Sequence, residues 1–292
     1  MSTRERRERS NESDRFLSQL FQDALRAHFE SDTGKELALA AVGGYGRGEL
    51  SPGSDLDILI LHNGKIAEEK LKAVVNDLLY PLWDRNSVDH SVRTRSQTRD
   101  AAASDLRVAT GLLDIRFIAG NANLVSAVQA DSLDFWRREA QRNLPELKKT
   151  LSARHDRAGE LAYLLEPDLK EARGGLRDVQ ALRAIAASGA IGVSLEKISW
   201  AESTLSNVRE ALHTASGRGK DRLLFQEQDK VAQILNYKDA DAMMGEVARA
   251  ARSVVYLLDY TWHALEHKGY DGFGRFIRKP RVVNVAKNVS AL

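Results

Sequence analysis

Residues 41–61 read A-V-G-G-Y-G-R-G-E-L-S-P-G-S-D-L-D-I-L-I-L, so that two apolar segments flank a glycine-rich turn and the second segment opens with two aspartates. Because successive side chains of a strand point to opposite faces, Asp55 and Asp57 are expected on one face. At about 5.5 Å and an effective dielectric constant of about 20, two carboxylates repel each other by roughly 3 kcal/mol. A dication such as Mg²⁺ would turn that repulsion into attraction.

The glycines before the aspartates predict a phosphate-binding turn. Gly43 and Gly44 have no Cβ, so their backbone N–H groups can approach phosphate oxygens closely. A glycine turn or an Asp-x-Asp pair alone is more often structural, but their order and spacing together favour a site for metal-bound triphosphate. Two other phosphate motifs do not fit. No lysine follows the glycines as in a P-loop, and Glu49 occupies the third-glycine position of the dinucleotide fingerprint.

Four segments of the chain, taken in order, resemble one known family. They are G-G-Y-G-R-G-E-L at 43–50 with S-D-L-D at 54–57, L-W-D at 82–84 with H-S-V-R-T at 90–94, E-P-D-L-K-E-A-R-G-G-L-R-D at 166–178, and D-R-L-L-F at 221–225. The set resembles the nucleotidyltransferase core and helical region of bacterial PII uridylyltransferase/uridylyl-removing enzymes, which modify the nitrogen-signalling protein PII. The resemblance covers nearly the whole chain.

The resemblance implies a metal-dependent nucleotidyltransferase that moves UMP from UTP to a tyrosine of PII and releases pyrophosphate. It implies catalysis and a two-metal Mg²⁺ site for Asp55, Asp57 and Asp89, with Asp84 as a less favoured third carboxylate. Arg47 and Arg177 would either balance the charge of the leaving pyrophosphate or form structural salt bridges. The residues implied in nucleotide binding are Gly43, Gly44, Arg47, Ser54, Lys170 and Arg177.

Several alternatives stay open from the sequence. The chain could adenylylate PII, transfer a nucleotide to another acceptor, or be a non-catalytic fragment that binds a nucleotide or a partner. No residue distinguishes uracil from adenine on physical grounds. Full enzymes of the family carry a deuridylylating His-Asp domain and ACT sensor domains after the helical region. Because the sequence stops before either, we expect a protein that attaches nucleotide to PII without removing it or responding to glutamine.

The expected fold class is α+β. A polymerase-β-like nucleotidyltransferase domain with a small mixed sheet is expected at 1–122, and an all-helical domain at 123–292 that ends in a connector at 269–292. Strands are expected at 55–61 and 88–94. The charged start at 1–9 is interpreted as a frayed, solvated end. Helices are expected at 13–29, 67–79, 104–119, 132–160 with a boundary near Pro145, 203–216, 221–235 and 239–267.

Composition narrows the function classes. The chain has 292 residues, 43% of them hydrophobic, which is enough for a sizeable core and two domains. It has no cysteine, so disulfides and thiolate metal sites are excluded. The net charge of +2 gives no argument for nucleic-acid binding. No apolar run is long enough for a membrane span, and the charged start has no signal-peptide core, so we expect a cytoplasmic protein.

Two histidine patterns resemble other sites. His155-Asp156 matches half of a phosphohydrolase signature, but the other spaced ligands are missing, and a solvated pair on a helix is expected instead. His263 and His267 have the spacing of a zinc pair. Ala264 replaces the glutamate of the protease pattern, so an exposed or partly buried pair is expected.

Overall fold

The computed structural model describes residues 3–29, 35–83, 88–217, 219–269, 283–286 and 289–291. Asp84 and most of the 269–292 connector lie outside the described residues. The elements are, in chain order, α1 Thr3–His28, β1 Leu37–Ala41, α2 Gly43–Gly46, β2 Leu56–His62, α3 Glu68–Trp83, β3 Val88–Thr94, α4 Arg95–Ser104, α5 Leu106–Leu112, β4 Arg116–Gly120, α6 Ala122–Arg138, α7 Ala140–Ala158, α8 Leu176–Ser188, α9 Ser199–Ser216, α10 Phe225–Ile234, α11 Ala240–His267, β5 Val283–Ala286 and β6 Val289–Ala291.

A four-stranded mixed sheet lies in the first half of the chain. Its order is β3-β2-β1-β4, with β1 antiparallel to both neighbours and β2 parallel to β3. The parallel pair requires a crossover, and α3 supplies it. A small mixed sheet followed by helices confirms the expected α+β class. The third strand is also confirmed, at Val88–Thr94.

The sheet is covered on both faces, which explains why its inner strands are apolar runs rather than alternating patterns. Ile58 and Ile60 of β2 share a core with α1 and α3. Leu59 and Leu61, on the opposite face, belong to the core built by the helices of the second half. Asp57 has the same parity as Leu59, so its side chain lies on the face turned toward those helices.

The helical half packs around α11, whose buried positions recur with the period of a helix. Asp239 caps this helix through its side chain, which accepts a hydrogen bond from the N–H of Ala242 at 2.7 Å. The expected helices at 203–216, 221–235 and 239–267 correspond to α9, α10 and α11. The division into domains at 122/123 stays a prediction.

Two expectations about secondary structure are wrong. The helix expected at 104–119 is the short helix α5 followed by strand β4, which pairs with β1 at the edge of the sheet. The segment 132–160 contains a break at Glu139 rather than near Pro145, and Pro145 lies inside α7. Residues 116–120 form a strand because they pair with β1. A five-residue strand is too short to show a clear period in the sequence, so the helical periodicity around it led to the wrong prediction.

The charged start of the chain is also not a solvated end. Residues from Thr3 onward belong to α1, and Arg6 is buried. Its guanidinium donates to Glu210 at 3.0 Å and to Asn207 at 2.9 Å, both on α9. Arg9 also pairs with Glu210. Ion pairs more than 200 residues apart in sequence therefore fix this segment.

Candidate active site

Three carboxylates gather at one end of the parallel strand pair. Asp55 directly precedes β2, and Asp57 of β2 has Asp89 of β3 as its register partner. Burial raises the pKa of the Asp57 carboxyl, and the charges of Asp89 and Asp55 raise it further. Asp57 therefore lies within electrostatic range of both Asp55 and Asp89, and their negative charges oppose its ionisation.

The glycine turn lies directly against Asp57. The N–H of Val42 donates to the backbone carbonyl of Asp57 at 3.0 Å, and the chain then turns into the single helical turn α2. Gly43 has φ +56°, and a Cβ there would lie 3.3 Å from Oδ2 of Asp57. At Gly44 the nearest group is the side chain of Arg47, at 3.7 Å. The backbone therefore passes close to the carboxylate where only a glycine fits without strain.

Side chains of the same motif anchor the turn. The buried Tyr45 hydroxyl donates to Asp14 of α1 at 2.6 Å, and its burial, with that carboxylate, raises the pKa of the phenol. The Arg47 guanidinium donates to Glu49 at 2.8 Å and to Asp114 at 2.6 Å. Arg47 thus forms the salt bridges that were the structural alternative for this residue, and its role toward a nucleotide stays a prediction.

Two cations of the 166–178 segment face the carboxylates. The positive charges of Lys170 and Arg177 both act to lower the pKa of Asp57, which shows that they lie within electrostatic range. Arg177 also donates to Glu171 at 3.0 Å, and the Lys170 ammonium lies 3.8 Å from Asp221. Both side chains are partly exposed to the cleft.

A buried carboxylate organises the turn that brings Arg177 to the cleft. Asp178 is fully buried and accepts from the N–H of Gly174 at 2.7 Å. It also pairs with Arg154 and lies 2.9 Å from Nε2 of His155. The expectation of a solvated His155-Asp156 pair is therefore wrong for the histidine, since the fold uses it to satisfy a buried charge.

Ser54 is bonded through a residue that the sequence did not single out. Nη1 of Arg209, on α9, lies 3.0 Å from the Ser51 hydroxyl and 3.4 Å from that of Ser54. Nε of the same guanidinium donates to Asp221 at 2.6 Å. Asp221 belongs to the D-R-L-L-F segment that resembles the family, but the sequence indicated no role for this residue. Arg209 lies inside a helix with no motif around it.

A cleft of about 1240 Å³ joins these groups. Its wall includes arginines from α7, α8 and α9, and it opens between the sheet and the helical half. All of the site residues predicted from the sequence line it: Gly43, Gly44, Arg47, Ser54, Asp55, Asp57, Asp89, Lys170 and Arg177. Their assignment to metal or nucleotide stays a prediction.

The donor set fits a hard divalent cation by its chemistry. Asp55, Asp57 and Asp89 offer only carboxylate oxygens, the ligands that Mg²⁺ prefers, and their mutual repulsion is the kind that a cation relieves. Within the described ranges, no three histidine, aspartate or glutamate side chains are arranged as an assembled metal site, and this includes the three aspartates, so their fit to a cation rests on donor chemistry alone. His263 and His267 are an exposed pair, with their Nε2 atoms 2.9 Å apart.

Comparison with known proteins agrees with this geometry. Residues 23–86 match the family model described as "Nucleotidyltransferase domain". Residues 142–198 and 183–262 match the model described as "GlnD PII-uridylyltransferase". The first match contains the glycine turn and the Asp55/Asp57 pair, and the second contains the segment with Lys170 and Arg177. The class that fold and site define is therefore a nucleotidyltransferase.

Three relatives extend the similarity over most of the chain, and each is named bifunctional uridylyltransferase/uridylyl-removing enzyme. The one from Streptomyces coelicolor is 49% identical over 251 residues, which are 86% of this chain and 29% of the relative. The one from Mycobacterium tuberculosis H37Rv is 42% identical over 228 residues, 75% of this chain and 28% of the relative. The one from Hydrogenovibrio crunogenus is 35% identical over 243 residues, 77% and 27%.

The chain belongs to the family of PII uridylyltransferases. It spans less than a third of the length of the curated relatives that it matches. In the part of the chain that the structure describes, no helix combines the length and the apolar character needed to cross a membrane.

Proposed function

We propose that this chain transfers UMP from UTP to a tyrosine hydroxyl of PII, with release of pyrophosphate. The observation that carries the proposal is the meeting of three elements in one cleft: the Asp55, Asp57 and Asp89 carboxylates, the Gly43-Gly44 turn, and the cations of the 166–178 segment. Carboxylates and cations that line one cleft suit a triphosphate bridged to a metal ion. Because UTP is a cytoplasmic metabolite, the proposal also implies a cytoplasmic location.

Each element has a distinct part in the proposal. The backbone N–H groups of Gly43 and Gly44 hold phosphate oxygens of the donor nucleotide. Lys170 and Arg177 offset negative charge on the phosphates, including the charge that develops on departing pyrophosphate. Asp89 accepts or orients the proton of the incoming tyrosine hydroxyl. The oxygen of that hydroxyl forms the new bond to the α-phosphorus, and the bond to the pyrophosphate oxygen breaks.

Asp55, Asp57 and Asp89 would hold Mg²⁺. When bound, a divalent cation would lower the pKa of a coordinated hydroxyl from its usual value near 10 and neutralise phosphate charge. The three carboxylates contribute the negative charge that attracts the cation, and burial together with the charges of Asp89 and Asp55 raises the pKa of Asp57.

The test is incubation of the chain with PII and either UTP or ATP, labelled at the α-phosphate, in Mg²⁺. Label on PII from UTP alone supports the proposal, and label from ATP alone makes the chain an adenylyltransferase. A PII variant whose tyrosines are replaced by phenylalanine is the control and should stay unlabelled. No label from either nucleotide with wild-type PII would contradict the proposed reaction.

A further inference from the structure

We propose that Asp221 is a positioning residue that holds the two walls of the cleft in register. The inference rests on the proposed function, because it concerns how the same cleft receives a nucleotide. It starts from the place of residues 219–223, which lie between the turn that precedes Asp55 and the segment that carries Lys170. None of these residues belongs to the glycine turn or to the carboxylate set.

On one side, the 219–223 segment pairs with the 166–178 segment through the backbone. The N–H of Leu169 donates to the carbonyl of Asp221, and the N–H of Leu223 donates to the carbonyl of Pro167, both at 2.9 Å. These two hydrogen bonds frame an antiparallel bridge between Asp168 and Arg222. The chain position of Lys170 is therefore tied directly to that of Asp221.

On the other side, the same segment meets the turn that leads into the metal-binding strand. A Cβ on Gly219 would overlap the carbonyl oxygen of Gly53, so the two backbones are in close contact. Arg209 bridges Asp221 to this turn, since Nε of its guanidinium donates to Asp221 and Nη1 contacts Ser51 and Ser54. Ser54 immediately precedes Asp55 in the chain.

The Asp221 side chain thus has three partners, two on α9 and one in the 166–178 segment. Its oxygens accept from Arg209 of α9 at 2.6 Å, lie 2.9 Å from Nε2 of the buried His213, and lie 3.8 Å from the Lys170 ammonium. Nδ1 of His213 is buried without a partner, so this histidine has Asp221 as its polar contact. The Asp221 carboxylate therefore positions Lys170 directly, and through Arg209 it positions the turn that contains Ser51 and Ser54.

A positioning role for Asp221 and a merely structural one predict different effects of its loss on UTP affinity. If Asp221 only stabilises the fold, its loss should lower the melting temperature and leave nucleotide affinity of the folded protein unchanged. If it positions Lys170 toward the nucleotide, its loss should remove the benefit of Lys170 as well. The two substitutions would then be strongly non-additive in UTP affinity.

The experiment is a double-mutant cycle read by calorimetric UTP binding in Mg²⁺, which needs no acceptor protein. We expect Asp221→Asn and Lys170→Met each to weaken UTP binding by about tenfold, the scale of one charged contact, and the double variant to be little weaker than either single one. Asp221→Glu should recover part of the affinity. Asp259→Asn is the matched control, because Asp259 pairs with Arg173 of the same segment, at 2.7 Å, but does not line the cleft.

The outcomes separate the inference from the proposed function. Wild-type affinity in Asp221→Asn, or multiplicative effects in the double variant, would overturn the positioning role while leaving nucleotidyl transfer intact. Should Asp221→Asn fail to fold, the cycle between Lys170→Met and Arg209→Lys replaces it, because both cations contact the same carboxylate; independent effects there overturn the inference. A wild-type chain that binds neither UTP nor ATP overturns the proposed function, and the inference with it.

Discussion

Asp57 of β2 and Asp89 of β3 are register partners on adjacent parallel strands. Their side chains must therefore leave the same face of the sheet, and that face is the one turned toward the helical half. The charge of Asp89 contributes to the raised pKa of Asp57. The pair thus carries an electrostatic cost in the metal-free protein that a bound cation would offset.

Replacement of one carboxylate should separate stability from activity. We expect Asp57→Asn and Asp55→Asn to abolish label transfer to PII. The thermal unfolding midpoint without metal should stay unchanged or rise slightly, since Asp57→Asn removes the carboxyl whose pKa is raised and Asp55→Asn removes one of the charges that raise it. Calorimetry of unfolding with and without Mg²⁺ gives the second readout, and the variants should lose the stabilisation that Mg²⁺ with UTP gives to the wild type.

The matched control for that pair is Asp156→Asn, a change of the same kind at an exposed position of α7. It should alter neither transfer nor the effect of Mg²⁺. Substantial transfer by both Asp55→Asn and Asp57→Asn would rule out the carboxylate mechanism.

The close approach of Gly43 to Asp57 predicts a specific effect on nucleotide binding. Gly43→Ala should lower stability by about 1 kcal/mol, because φ is +56° there, and should also crowd Oδ2 of Asp57. Gly48→Ala is the control, since its φ is +73° but nothing lies within 4 Å of the added methyl. Both variants should unfold earlier, and only Gly43→Ala should lose UTP affinity. Equal affinities would show that the contact with Asp57 has no part in binding.

The neighbouring glycine supplies the converse case. Gly44 lines the cleft, and a Cβ there would meet only Arg47 within 4 Å, at an ordinary 3.7 Å, so Gly44→Val should fold. We expect its thermal midpoint to be near that of the wild type and its UTP binding to be lost in calorimetry, because the branched side chain occupies the space that phosphates need. Normal UTP binding in the folded variant would mean that this turn is only structural.

Much of the candidate site could be predicted because its parts obey local rules. The period of a strand places Asp55 and Asp57 on one face, and the strand expected at 88–94 places Asp89 where a third carboxylate could meet that pair. The segment at 166–178 came only from the family resemblance. Physical pattern alone would have made it a turn with surface salt bridges, since nothing local indicates that Lys170 and Arg177 lie within electrostatic range of Asp57, more than 100 residues away.

The parts that the sequence did not predict depend on contacts between distant residues. Arg209 and Ser54 are 155 residues apart, and the sequence around neither residue indicates that they form a hydrogen bond. Strand β4 is five residues long and exists because β1 offers an unpaired edge. A period cannot be recognised in five residues, so the sequence alone predicted a helix at this position.

The low pKa of Asp221 predicts a pH-dependent contribution to stability. Burial alone would raise the pKa of this carboxyl, but the hydrogen bond with His213 and the charges of Arg209 and Lys170 lower it from 3.8 to about 2. Because the folded-state pKa lies below the unfolded one, the ionised form stabilises the fold. This contribution, about 2 kcal/mol, is present above pH 3.8 and is lost as the pH falls through about 2.

The measurement is urea unfolding of the wild type and Asp221→Asn across that acidic range. The difference in free energy of unfolding should be largest near neutral pH and should shrink as the pH approaches about 2. Asp259→Asn, which removes an exposed partner of Arg173, should show a small difference at every pH. A gap between wild type and Asp221→Asn that does not change with pH would contradict the assigned cause.

The first turns of α1 offer a test of whether the charged start of the chain is part of the fold. Arg6 and Glu210 form a buried ion pair at 3.0 Å, whereas Arg4 and Glu8, two residues from Arg6 in the same helix, form an exposed one. Removing one partner of a buried pair leaves the other charge short of a counterion, while an exposed pair contributes little. Because Arg9 still reaches Glu210, the cost of Arg6→Met should be about 2 kcal/mol, below that of an isolated buried charge. Arg4→Met should leave the stability nearly unchanged, because its ion pair is exposed to solvent. The measurement is urea unfolding of the two variants. Equal free energies of unfolding would mean that residues 3–9 are a solvated end, as their composition first indicated.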